Sequence, residues 1–102
     1  MARDETYYEA EKKIQEALKS VATELDLRSM KLTELPEEIG HLIPLEELNL
    51  YQNRLTTLPD SIRHLTNLKR LLASRNKFEK IPEVVFDLLN LENLTLYEIG
   101  II

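Results

Sequence analysis

Leu45-Glu46-Glu47-Leu48-Asn49-Leu50-Tyr51-Gln52-Asn53-Arg54-Leu55-Thr56-Thr57-Leu58-Pro59-Asp60-Ser61-Ile62-Arg63-His64-Leu65-Thr66-Asn67 carries two different periodicities within 23 residues. Leu48 and Leu50 alternate with Glu47, Asn49 and Tyr51, the pattern of a short strand with one face buried. Ile62 and Leu65 then step by three behind Pro59, which predicts one or two turns of helix or 3₁₀ helix. Proline suits the start of such a turn, where a missing N–H costs little. Asp60 follows it and places a carboxylate at the positive end of the turn's dipole.

This unit recurs along the chain. Leu25, Leu48, Leu71 and Leu94 are each 23 residues apart, and so are Pro36, Pro59 and Pro82. Ile39, Ile62 and Val85 keep the same step, as do Leu42, Leu65 and Leu88, and Asn53 and Asn76. Self-similarity at this period marks stacked supersecondary units rather than a globular core. The copies run 22–44, 45–67, 68–90 and a partial 91–102. Strands joined by a helical return must lie parallel. An asparagine at the bend after each strand can donate and accept at once, joining backbone groups that the bend leaves unpaired. Met30 and Ile99 replace it in the first and last copies, where an inner ladder has no neighbour to serve.

Residues 1–21 follow another rule. Tyr7, Ala10, Ile14, Ala17, Leu18 and Val21 recur at three- and four-residue steps, predicting an amphipathic helix over residues 4 to about 20. Thr6 and Glu9 have the spacing of a capping box. The apolar stripe needs a surface to cover, and the open end of the repeat stack provides one. The segment is therefore expected to be an N-terminal capping helix with a charged outer face.

Composition narrows the function. At 102 residues the chain has room for one domain, and its net charge of −5 argues against a nucleic-acid surface. The absence of cysteine excludes disulfides and thiolate metal sites and fits a reducing, cytoplasmic setting. The first six residues lack a signal-peptide pattern, and no stretch approaches the length of a membrane span. With glycine only at positions 40 and 100, a Gly-rich phosphate loop is not available. Neither histidine pairs with a nucleophile in a recognisable arrangement. The expectation is a non-enzyme without cofactor, with no nucleic acid and no membrane among its partners.

The runs LDLRSMKLTELPEEIGHL, LNLYQNRLTTLPDSIRHLTNL and LLASRNKFEKIPEVVFDLLNL resemble leucine-rich-repeat proteins of the 23-residue Leu-Pro type, over residues 22–102. The resemblance implies an α/β solenoid, with a curved parallel β-sheet on a concave face that binds protein partners and short helical or 3₁₀ turns on the convex face. The opening helix followed by ATELDL is also similar to the start of the repeat region in bacterial Roco-type proteins, which place such repeats ahead of a GTPase module. Two features depart from the repeat pattern. Ala73 stands where Leu27, Leu50 and Leu96 stand, which predicts underpacking unless Phe78, larger than Leu32 and Leu55, refills the space. The last copy is partial, and Leu94, Leu96, Ile99 and Ile101 are expected to face open space, inviting pairing with a second copy.

Candidate binding residues follow from the strand columns. Glu24, Glu47, Arg70 and Asn93 form one, Asp26, Asn49, Leu72 and Thr95 the next, then Arg28, Tyr51, Ser74 and Tyr97, and finally Ser29, Gln52, Arg75 and Glu98. Tyrosine and arginine are enriched at the energetic centres of protein interfaces. The partner-binding set is accordingly Asp26, Arg28, Asn49, Tyr51, Arg70, Leu72, Arg75 and Tyr97. Three other columns have simpler explanations. His41, His64 and Asp87 have ligand chemistry but fall on surface turns and are expected to be solvated. Lys31, Arg54 and Lys77 are what the bend exposes. Glu46, Lys69 and Glu92 alternate in sign, and such exposed pairs contribute at most about 1 kcal/mol.

Overall fold

The computed structural model describes residues 4–97. Helix α1 (Glu5–Lys19) precedes four strands, β1 (Glu24–Asp26), β2 (Glu47–Asn49), β3 (Arg70–Leu72) and β4 (Asn93–Thr95). Between them lie three 3₁₀ turns, η1 (Glu37–His41), η2 (Asp60–His64) and η3 (Glu83–Asp87). The strands form one parallel sheet in sequence order, with Leu25, Leu48, Leu71 and Leu94 in register. Pairing continues beyond the strands, from Leu50 N to Leu72 O at 2.7 Å, Gln52 N to Ser74 O at 3.0 Å and Lys77 N to Leu55 O at 2.8 Å. Pro36, Pro59 and Pro82 occupy the position just before each 3₁₀ turn. A helical turn with its side chains is wider than the roughly 4.8 Å between paired strands, so stacking such units bends the sheet with its strands on the inside.

The core is a continuous column of apolar side chains. Leu27, Leu32, Leu50, Leu55, Leu48 and Leu71 are fully buried, each worth about 1.5–3 kcal/mol of transfer free energy. Ala10, Ile14 and Ala17 of α1 join the same cluster, so the helix caps the first repeat. Two residues of the expected helical stripe are exposed. Leu18, in the last turn of the helix, is 40% exposed, and Val21, beyond the helix end at Lys19, turns outward at φ 51°. The capping box is also displaced. Asp4, not Thr6, caps the helix, accepting from Tyr7 N at 3.2 Å and from the Thr6 hydroxyl at 2.6 Å. A charged carboxylate one turn-start earlier complements the exposed N–H groups better than a hydroxyl. The Thr6 hydroxyl and then the Tyr7 amide hold the Asp4 carboxyl below its ordinary range.

On the convex side, η1 and η2 approach closely because Gly40 has no side chain. A Cβ there would lie 2.6 Å from both the Ser61 Cβ and the Ser61 carbonyl oxygen. The Ser61 hydroxyl in turn donates to Glu37 O at 2.7 Å. A second asparagine pair also ties copies together, with Asn67 Nδ2 donating to Ile43 O at 3.0 Å and Asn90 Nδ2 to Thr66 O at 2.6 Å. Ala73 and Phe78 are both fully buried, Phe78 being among the largest side chains in the core. The third copy thus pairs its smallest strand residue with its bulkiest inward residue.

The asparagine bends carry the inter-repeat wiring. Asn53 Nδ2 donates to Leu27 O of the preceding copy at 2.9 Å and to Leu50 O of its own at 3.1 Å. Its Oδ1 accepts from Met30 N and Leu32 N, both at 3.0 Å. Asn76 repeats this, donating to Leu50 O at 2.8 Å and Ala73 O at 3.0 Å and accepting from Leu55 N at 3.0 Å. Each amide reaches back one copy, which is why Met30, with no earlier repeat behind it, is tolerated in the first. Asn53→Ala leaves several buried backbone groups unpaired and is expected to cost at least about 3 kcal/mol in urea denaturation. Asn53→Asp keeps the acceptor but loses both donors and buries a charge, and is expected to be as damaging. A loss below about 1 kcal/mol for Asn53→Ala contradicts the wiring.

Candidate functional site

Alternation along β3 decides what leaves the core. Leu71 and Ala73 point inward and are fully buried, so Arg70, Leu72 and Ser74 belong to the opposite, concave face. Register then aligns Glu24, Glu47, Arg70 and Asn93, and beside them Asp26, Asn49, Leu72 and Thr95. The ladder bonds Ser29 N to Tyr51 O, Gln52 N to Ser74 O and Arg75 N to Tyr97 O continue the alignment. Arg28, Tyr51, Ser74 and Tyr97 therefore stand side by side on neighbouring copies.

Of the eight residues singled out from the sequence, Tyr51, Leu72, Arg70, Arg75 and Tyr97 come together over the second to fourth copies. Tyr51 and Leu72 are half-buried, and Tyr97 is 64% exposed. The Arg75 guanidinium lies over the Tyr51 ring, its carbon 5.9 Å from the centroid, a cation–π arrangement that stiffens both side chains. Arg70 Nη1 reaches Glu47 Oε1 at 3.0 Å. Asp26, Arg28 and Asn49 are placed differently. The Asp26 and Asn49 side-chain oxygens accept from Arg28 N and Tyr51 N, each at 3.0 Å, so both serve the backbone as Asx turns. Asp26 also pairs with Arg28 Nε at 3.2 Å. Charge is divided along the face. Glu24, Asp26 and Glu47 make the first half acidic against Arg28 alone. The outward positions of β3 and β4, through Tyr97, carry Arg70 and Arg75 and no carboxylate.

Two features escape a reading of the sequence. Ser29, Gln52 and Arg75 adopt φ of 55°, 58° and 59°, a left-handed conformation costing about 1–2 kcal/mol for a non-glycine residue. The signal was their common place immediately before the asparagine or its substitute, but no glycine marks it. The second is Ser74. It lies on the outward side of the strand, yet is only 1% exposed, and its hydroxyl has no hydrogen-bond partner among the described residues.

The remaining columns sit apart from this patch. His41 and His64 are exposed, and Asp87 pairs with Arg63 at 3.5 Å. Among the described residues no three His, Asp or Glu side chains gather as metal ligands. The Arg54 and Lys77 amides bond to Leu32 O and Leu55 O at 2.8 Å each, and their side chains extend outward. Lys69 Nζ lies 3.7 Å from Glu46 Oε1, the alternation of sign expected in that column. Leu94 and Leu96 are partly buried, while Ile99 and Ile101, like Glu98, lie outside the described residues. Open depressions of about 380 and 400 Å³ are lined largely by polar residues such as Thr56, Glu79, Asn67 and Glu92. No helix among the described residues is long and apolar enough to cross a membrane.

No curated protein sequence matches the chain. A solved leucine-rich repeat protein from Leptospira interrogans superposes with a TM-score of 0.70 and 41% sequence identity, covering 74% of this chain and 19% of that one. The chain thus spans about a fifth of the length of that relative. A family model described as a leucine-rich repeat region matches residues 12–100. Together with the parallel sheet in 23-residue register, this match places the chain in the leucine-rich repeat family.

Proposed function

We propose that the chain is a protein-interaction module that binds a partner on the concave strand face, as Leu-Pro-type repeats of 23 residues are suited to do. The supporting observation is the contiguity of Tyr51, Leu72 and Tyr97 with Arg70 and Arg75 across β2 to β4. Two tyrosine rings stand in the column beside the Leu72 side chain, and the two guanidinium groups add directional polar contacts at the edge of the patch, a composition favoured at interface centres. Leucine-rich repeat domains generally bind proteins, which agrees with this reading. The test is capture of a partner from source lysate with wild-type chain, the Tyr51→Ala/Leu72→Ala variant, Arg70→Ala, and the control His64→Ala on the exposed η2 turn. Both concave variants are expected to lose at least roughly tenfold in affinity with a melting temperature close to wild type. Equal capture by all four chains removes the concave site.

A second reading is self-association through the last repeat. It is favoured by exposed apolar side chains in the third copy, next to the last repeat: Phe86 is 68% and Leu89 89% exposed. Phe86 holds the place of Gly40, whose missing side chain faces the next copy. Sedimentation velocity over a hundredfold concentration range is expected to show a dimer that Leu89→Glu abolishes; a monomer throughout removes this reading. A third reading takes the chain as the repeat segment of a Roco-type GTPase, on the strength of the opening helix and the run Ala22-Thr23-Glu24-Leu25-Asp26-Leu27. A GTPase module encoded in continuation with the repeats supports it, and an unrelated continuation refutes it.

A further inference from the structure

We infer that the free edge of β4 pairs antiparallel with the β4 edge of a second copy of this chain, joining two sheets into one about a two-fold axis at Leu94. This deepens the self-association reading and rests on it, by naming the strand, the register and the symmetry of the contact.

The backbone at that edge repeats groups that are used in every other copy. The amides of Leu27, Leu50 and Ala73 donate to the following strand, and the carbonyls of Thr23, Glu46 and Lys69 accept from it. The equivalents in the last copy are the Leu96 amide and the Glu92 carbonyl. Alternation along the strand puts the Leu94 amide and carbonyl on the same side. Strand β4 is last in the sheet, so these groups have no strand partner among the described residues. Such a row is a template for another strand. An antiparallel mate centred on Leu94 uses all of it. The two Leu94 residues exchange both bonds, and each Leu96 amide reaches the Glu92 carbonyl of the other copy.

Charge argues for a second copy as the occupant. Sheet edges are ordinarily guarded by charged side chains, and the opposite edge follows that rule. Strand β1 carries Glu24 and Asp26, and Ala10, Ile14 and Ala17 of α1 cover the core at that end. A head-to-tail array, with β4 of one copy on β1 of the next, would have to displace that cap. Strands β2 and β3 carry Glu47 and Arg70, whereas β4 is Asn93-Leu94-Thr95 and uncharged. In a two-fold contact the same patch meets itself, and a neutral strand does so without like-charge repulsion. Glu92, just before β4, would lie roughly 13 Å from its counterpart at strand rise, beyond the Debye length of about 8 Å.

The convex side presents apolar surface at the same end. A Cβ on Gly40 would strike Ser61 of the following copy, and Arg63, in the same column, reaches Asp87 of the copy after it at 3.5 Å. Phe86 holds the next place in that column, so its ring extends from the open end, 68% exposed. Leu89, three residues on, is 89% exposed. Its column mates Ile43 and Thr66 turn their carbonyls to an asparagine of the following copy. A single added strand would cover the edge and leave Phe86 and Leu89 in water. A second copy covers the edge and brings its own apolar pair to the convex side.

The test uses the full chain. Sedimentation velocity is expected to show a wild-type dimer. Asn93→Lys/Thr95→Lys sets like charges opposite each other across the axis and is expected to weaken the dimer roughly tenfold, as is Asn93→Glu/Thr95→Glu. Both are expected to melt close to wild type when dilute, and their equimolar mixture is expected to restore the dimer. The chain has no cysteine, so engineered thiols report the register. Asn93 and Thr95 of opposed strands have Cα atoms about 4.5 Å apart, within disulfide reach, while Asn93 and its own counterpart are roughly 8 Å apart and out of it. An oxidised mixture of Asn93→Cys and Thr95→Cys chains is expected to give a linked dimer that neither chain gives alone. A dimer that Leu89→Glu abolishes but the lysine and glutamate variants leave intact, or a mixture that fails to cross-link, overturns the strand pairing and leaves self-association through the last repeat standing. A wild-type chain that stays monomeric throughout overturns both.

Discussion

Asparagine side chains at the second and third bends join separate copies into one body. Two Nδ2 hydrogens and one Oδ1 on Asn53 bind backbone groups of two successive repeats, and Asn76 does the same one copy further on. Each bend turns the chain out of the sheet and leaves carbonyl and amide groups pointing into an apolar core. Water cannot reach them there, and unpaired they would cost more than the bend can bear. An amide is the one neutral side-chain group with both donors and an acceptor in a single plane. The left-handed residues Ser29, Gln52 and Arg75 depend on the same wiring. Their strained backbone is held because Asn53 and Asn76, and the ladder bonds around them, over-determine the path of the turn.

From that constraint the layout of the concave face follows. Fixing the bend fixes the register, and the register stacks like-numbered side chains at strand spacing. The columns are therefore made by the core, although their members lie outside it. This explains a division of labour on the concave side. Asp26 and Asn49 spend their acceptors on the next bend's amides, whereas the same position in the third copy, Leu72, is free to present an apolar side chain. The copy that lacks an Asx turn is also the one with Ser74 between two tyrosines.

Regular features were legible because stacking demands regularity. Parallel strands, 3₁₀ turns behind prolines, the inward leucines and the asparagine ladder all recur at one spacing, and repeated residues must meet repeated surroundings. Features at the edges of the pattern were harder to read. The capping box on Thr6 and Glu9 gave way to Asp4, since several polar residues near a helix start compete and only the path of the chain chooses among them. Leu18 and Val21 continued the helical stripe in sequence, yet Leu18 stays exposed in the last turn and the helix ends before Val21. The close passage of η1 over η2 at Gly40 left no periodic trace, because the equivalent positions are Arg63 and Phe86.

By itself the sequence determined the architecture: which side chains are inward, which copies are neighbours, and which residues share a column. These follow from period and polarity, which are properties of order along the chain. Only the tertiary structure decided which members of a column are available. Asn49 and Asp26 turned out to be engaged by backbone, Arg70 by Glu47, and Ser74 to be covered and unpaired. Availability depends on distances of a few ångströms between residues one repeat apart, and those arise when the copies close upon one another.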